Sequence, residues 1–265
     1  MVSITENISP GLRGRTALVT GSVGGIGLAV ASALAAAGCD IVLHGLATAA
    51  QAAPALAAIE AQGVKARFDS TDLADPAGIA AMMARLGPID ILVNNAAIRH
   101  FGLVEEIAPA DWDQDLAVNL SAPFHLARLA LPGMKARDWG RIVNMSSIYG
   151  LIGATGRVGY VTTKTALIGL TRAVALETAK TGVTCNAICA GSTLTPNIQG
   201  RIAASMAASG IDEAEAGARF LAGKQPSGRF VTAEAIGAMV ALLCSEAGRD
   251  ITGSVIPMDG GWSAS

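Results

Sequence analysis

The sequence predicts an α/β protein built on one doubly wound parallel sheet with helices on both faces. Three observations carry this expectation. Short β-rich runs alternate with helical stretches from end to end of the 265 residues. The strand runs are continuously apolar rather than alternating, as strands covered on both faces must be. Neither a linker nor an internal repeat interrupts the alternation, which is the pattern of successive βαβ units.

The elements follow in order. RTALVT (15–20) reads as the first strand, followed by a glycine turn and an Ala-rich helical stretch, 25–37, that Gly38 ends. DIVLH (40–44) is the second strand, and a helical stretch 51–62 closed by Gly63 comes after it. KARFD (65–69), IDILVNN (89–95), GRIVNMS (140–146), GVTCNAI (182–188) and SVIPM (254–258) read as further strands. Helices are predicted near 76–86, 109–136, 158–180 and 232–246. The segment 192–228 breaks the rhythm and reads as an inserted helical flap. At roughly 100–200 residues per domain the length allows one domain or two, and the unbroken pattern favours a single domain, 1–265.

Composition narrows the function classes. Apolar residues make up 51% and charged residues 15%, enough to build a core and too apolar for a disordered chain. The net charge of −2 leaves no basic surplus for a nucleic-acid backbone. No apolar run approaches a membrane span, and the start MVSITENISPGLRGR has no apolar core of a secretion signal, so the cytoplasm is the expected compartment. Four cysteines are too few and too scattered for a disulfide framework. Cys185 and Cys189 fall in a buried strand run without further Cys or His nearby, so no metal site is expected.

Thr20 to Gly27 reads TGSVGGIG, between the first strand and the first helix. Glycines in that setting permit a tight turn and let backbone N–H groups meet a pyrophosphate at the helix N-terminus, so a dinucleotide site of Rossmann-like type is expected. An acidic residue about 20 positions on, which would hold a ribose hydroxyl, is missing, because the second strand ends His44-Gly45-Leu46. No Lys or Arg lies in 21–27 or 41–50 to hold a 2′-phosphate either, which favours NAD over NADP. His44 itself reads as a strand-end polar residue.

Tyr160 and Lys164, in YVTTK, stand at i and i+4 on one helix face. A phenol is a poor base at neutral pH, and an ammonium one turn away favours the phenolate, making Tyr160 a usable proton acceptor for an alcohol. The alternative is a solvated helix face. Ser147, at a strand end in NMSSIYG, could hydrogen-bond the reacting oxygen or merely cap the strand.

Taken together these features resemble the short-chain dehydrogenase/reductase family across essentially the whole chain. TGSVGGIG matches its TGxxxGxG motif and NNAA (94–97) its NNAG, with Ala97 in place of the last glycine. Asn119, Ser147, Tyr160 and Lys164 match its catalytic tetrad. The resemblance assigns the cofactor to Gly21, Gly25, Ile26, Gly27, Leu46, Asp72, Leu73, Asn95, Tyr160, Lys164 and Thr195, although Ala190 replaces the usual proline nearby. It implies that Lys164 binds the nicotinamide ribose and depresses the Tyr160 pKa. It further implies that Ser147 orients the substrate oxygen, that Asn119 holds a water linking Lys164 to solvent, and that the assembly is a homotetramer.

Within the family, DIVLHGL, NLSAPFH, GRIVNMSS, CNAIC, KQPS and the ending DGGW are similar to the D-3-hydroxybutyrate dehydrogenase subgroup. That ending implies Trp262 and a short tail near the active site, of this chain or a neighbour. The acid-binding positions differ, however. Arg99 stands for Gln beside a matching His100, Tyr149 for His, Arg157 for Lys and Ser192 for Trp, while Arg201 falls near a lid Gln. With Ser147 and Tyr160 these residues form the expected substrate site, widened by Ser192 and made cationic by three arginines. The expected reaction interconverts a secondary alcohol and a ketone on an anionic hydroxy acid or sugar acid. Alternatives are 3-hydroxybutyrate itself, a neutral polyol or sugar, a 3-oxoacyl thioester, or an NAD-sensing binding protein without turnover.

Overall fold

In β1 (Thr16–Val19), near the middle of the sheet, alternate side chains serve two cores: Ala17 and Val19 face one, Leu18 the other. The computed structural model describes residues 11–265. Most of the start on which the secretion expectation rests, residues 1–10, lies outside the described residues.

With β1, six further strands make one parallel sheet: β2 (Asp40–His44), β3 (Ala66–Asp69), β4 (Ile91–Asn94), β5 (Gly140–Met145), β6 (Val183–Ala190) and β7 (Val255–Met258), in the order β3-β2-β1-β4-β5-β6-β7. The order reverses between β1 and β4, where helices leave on opposite faces and open a crevice at the carboxyl ends of the strands.

One core packs the sheet against α1 (Gly25–Ala36) and α9 (Ala233–Cys244), with Val30, Leu34, Ile236 and Val240 fully buried. α2 (Ala49–Glu60) joins this face through Ala55 and Ile59. The other core collects Ile79 and Met82 from α3 (Pro76–Leu86), Leu126 and Met134 from α5 (Ala122–Ala136), and Val174 from α6 (Val158–Thr178). Burying each such side chain contributes about 1.5–3 kcal/mol. Helix starts are written locally: Thr48 and Gln51 form a reciprocal capping box on α2, and Asp75 caps α3 ahead of Pro76. The flap comprises α7 (Pro196–Ser209) and α8 (Glu213–Leu221), the latter capped by Asp212. No helix among the described residues is long and apolar enough to cross a membrane.

One expectation is corrected. The stretch 109–136 is not continuous: α4 (Pro109–Leu116) and α5 are separated by a wide, π-type turn over Ala117–Ser121. Pro123 explains it, since a proline has no N–H to return to the carbonyl four residues earlier, that of Asn119. The wide turn thus falls on a residue already marked as catalytic.

Candidate active site

The loops that follow β1, β4, β5 and β6 at their carboxyl ends line the crevice. From β1 the chain turns through Gly21, whose φ of +62° suits only glycine and whose Cβ would press on the Ala96 backbone. A Cβ at Gly27 would collide with the Gly21 carbonyl and the Asn95 amide, so the turn is closed as far as backbone allows. Asn95 donates to the carbonyls of Thr20 and Gly21, both at 2.9 Å. Its side chain holds the glycine turn in shape. α1 opens on Gly24 with no capping side chain, which leaves its first N–H groups directed at the crevice. Thr195, at the start of α7, reaches within 3.8 Å of the Cβ that Gly25 lacks, and Ile26 lies beside them. This tight, uncapped glycine cradle fits a dinucleotide pyrophosphate.

The far wall of the cradle is less polar. Leu46 is 74% exposed and Leu73 is buried. Asp72 is exposed and accepts from the Ala74 N–H on its own loop. His44 is buried, and its Nε2 bonds the Thr71 carbonyl at 2.8 Å, tying the end of β2 to the loop after β3. Burial pulls its pKa below the ordinary value.

Tyr160 and Lys164 stand on the first turns of α6, both almost fully buried. Lys164 Nζ donates to the Met145 carbonyl at 2.7 Å and lies 5.6 Å from the Tyr160 ring centre. Burial alone would raise the phenol pKa, but the charges of Lys164 and Arg99 outweigh it and bring it below its ordinary value, with a hydrogen bond from Ser147 helping. Lys164 is itself pulled down, by burial first. Ser147 lies just after β5 and accepts from the Tyr149 N–H, fixing its hydroxyl over the site. Asn119 clasps the Ile98 backbone in both directions, at 2.9 and 3.0 Å, and so anchors the strand-end loop that carries Arg99.

A cavity in front of Tyr160 gathers Arg99, Tyr149, Arg157, Ser192 and Arg201 with Ser147. Arg157 lies against the rings of Phe101 and Tyr149, at 4.8 and 5.1 Å. Trp262 of the chain's own tail packs edge-on against Tyr149 at 5.6 Å. His100 does not join: its ring turns toward α4, 3.1 Å from Asp115 and 3.5 Å from Asp111. Lys224 and Phe220 complete the cavity and were not singled out from the sequence. The KQPS motif that contains Lys224 was the available signal.

A glycine cradle sized for a pyrophosphate, opening onto a phenol whose proton affinity two cations depress, defines a nicotinamide-dependent oxidoreductase with a small-molecule substrate. The short chain dehydrogenase family matches residues 15–205, and the chain belongs to it. A D-beta-hydroxybutyrate dehydrogenase of Cupriavidus necator is 46% identical over 257 residues, covering 96% of this chain and 99% of its own. Another D-beta-hydroxybutyrate dehydrogenase, from Rhizobium meliloti, is 39% identical, covering 94% and 99%. Among solved structures, a 3-oxoacyl (acyl-carrier-protein) reductase of Agrobacterium tumefaciens with NADP bound superposes with a TM-score of 0.88 at 32% identity, covering 98% of both chains.

Proposed function

We propose that the chain is a single-domain, NAD-dependent dehydrogenase that interconverts a secondary alcohol and a ketone on an anionic hydroxy acid or sugar acid. The observation that carries this reading is the cavity itself, where Arg157 and Arg201 stand before the Tyr160 hydroxyl. With its pyrophosphate held in the glycine cradle, the dinucleotide would supply the hydride acceptor or donor through its nicotinamide. Tyr160 takes the alcohol proton, or returns it to a carbonyl oxygen. Lys164 and Arg99 both favour the anionic form of that phenol. Ser147 orients the substrate oxygen through its fixed hydroxyl. Asn119, whose carbonyl loses its α-helical partner to Pro123, holds a water through which Lys164 exchanges protons. Arg157 receives the substrate carboxylate in a bidentate fork, which places the carbinol carbon.

NAD is preferred because neither the glycine turn nor the segment 41–50 offers a cation to a 2′-phosphate. A homotetramer is the proposed assembly. Phe124 on α5 and Leu176 on α6 stay 46% and 80% exposed, apolar surface suited to a partner helix. The reading of 3-hydroxybutyrate as substrate draws support from the 46% identity above.

A screen of NAD reduction with hydroxy acids, sugar acids and neutral polyols tests the reaction. Arg157→Met should then cost roughly ten- to a hundredfold in kcat/KM for an anionic substrate and little for a neutral alcohol of the same shape. Equal losses on both would return Arg157 to a purely structural part.

A further inference from the structure

Four cations and no carboxylate line the cavity in front of Tyr160: Arg99, Arg157, Arg201 and Lys224. Among the described residues none of the four forms an ion pair with Asp or Glu. Arg99 is engaged by the Tyr160 hydroxyl. The other three have only neutral company. Arg157 rests on two aromatic rings, and Arg201 and Lys224 lie 5.0 and 3.9 Å from the centre of the Phe220 ring. Lys224 Nζ also donates to the Phe220 carbonyl at 2.6 Å.

Lys224 is held in place rather than swept in by chance. Its neighbour Gln225 is buried, accepts from the Ser192 N–H and donates to the Arg229 carbonyl at 2.5 Å. Gln225 thereby ties Lys224 to the end of β6. Burial, then the charges of Arg201 and Arg157, lower the proton affinity of Lys224. An anion bound there would offset the like-charge repulsion and favour the charged ammonium.

Charge arithmetic separates possible substrates. One carboxylate saturates a single guanidinium fork, leaving two like charges together without counter-charge in a confined space. A second anionic group between Arg201 and Lys224 would contact both of the remaining cations and leave at most one positive charge uncompensated. The cations also fall in two places, since Arg157 begins α6 whereas Arg201 and Lys224 flank Phe220 on the flap.

We propose that the natural substrate is a dianion: a hydroxy acid whose carboxylate meets Arg157 and whose second anionic group lies between Arg201 and Lys224. This rests on the anionic-alcohol reading above and narrows it. The second group is an oxyanion, carboxylate or phosphoryl, and by bridging flap and body it draws the flap over the reacting carbon.

The test uses non-reacting acids, so it does not depend on turnover. Butyrate, glutarate and 3-phosphonopropionate are titrated calorimetrically against the intact enzyme saturated with NAD. At least one dianion should bind roughly tenfold or more tighter than butyrate. Lys224→Met and Arg201→Met, each checked for undiminished NAD binding, should bring that ratio close to one. Whichever dianion binds tighter identifies the second group. Equal affinity for all three acids, or a ratio that neither substitution moves, overturns the proposal. Failure to oxidise any hydroxy acid would instead sink the proposed reaction, and the two failures are therefore distinguishable.

Discussion

The Arg99 guanidinium donates to the Tyr160 hydroxyl at 3.1 Å and lies over the same ring, 4.6 Å from its centre. Two cations therefore act on one phenol, Lys164 from the helix and Arg99 from the loop after β4. Both favour the phenolate against the burial that opposes it. Arg99→Gln removes a charge and a charge-assisted bond together. For alcohol oxidation the phenol must be deprotonated, so kcat/KM rises with pH through its pKa. The substitution should move that limb to higher pH, with the loss greatest near neutrality and shrinking as pH rises. A pH–rate profile of unchanged shape would show that Arg99 serves the substrate alone.

Tyr160→Phe should abolish turnover, by about a thousandfold or more, while leaving the glycine cradle intact. Fluorescence titration of NAD provides the second readout. Activity within tenfold of wild type would remove the phenol from proton transfer.

kcat/KM should be higher with NAD than with NADP. Steady-state kinetics with both cofactors decides it. A preference for NADP would mean that a cation outside 21–27 and 41–50 reaches the ribose.

The His44 imidazole is buried with Nδ1 unpartnered, and its folded pKa lies below the ordinary 6.5. A depressed histidine pKa means that the folded state binds the proton less readily than the unfolded chain. The stability linked to neutral His44 is present above the unfolded value and is lost as pH falls through it toward the folded one. The Tm advantage of wild type over His44→Leu should accordingly shrink from about pH 8 to about pH 5. A constant difference would assign the acid sensitivity to another group.

Behind the active site, Asn94 Nδ2 donates to Asn144 Oδ1 and Asn144 Nδ2 to Thr171 Oγ1, each at 2.8 Å and fully buried. This ladder joins β4, β5 and the helix of Tyr160. Asn144→Ala strands two buried partners and should cost about 1–3 kcal/mol, a fall of several degrees in Tm by calorimetry. An unchanged Tm would mean that water replaces the amide.

The parts of this protein that the sequence determined by itself are those with local causes. Strand bounds such as 40–44 came from runs of apolar residues, because burial on both sheet faces leaves no polar position between them. The cradle was legible because a positive φ at Gly21 and a close approach at Gly27 leave no other residue type possible. Tyr160 and Lys164 were legible because helix geometry alone brings i and i+4 together. Even the break at 117–121 had a local cause in Pro123, although the strength of the surrounding helical pattern concealed it. Tertiary structure decided what several distant segments share. His100 follows Arg99 directly, yet it turns to Asp115 on α4 while Arg99 meets Tyr160, a choice made by the packing of the loop after β4. Lys224 gained its place only when Gln225 bonded Ser192, thirty-three residues away. Side-chain direction in loops and flaps has no period to read. It is set by which buried partners compensate the charge, and those partners exist only once the chain has folded.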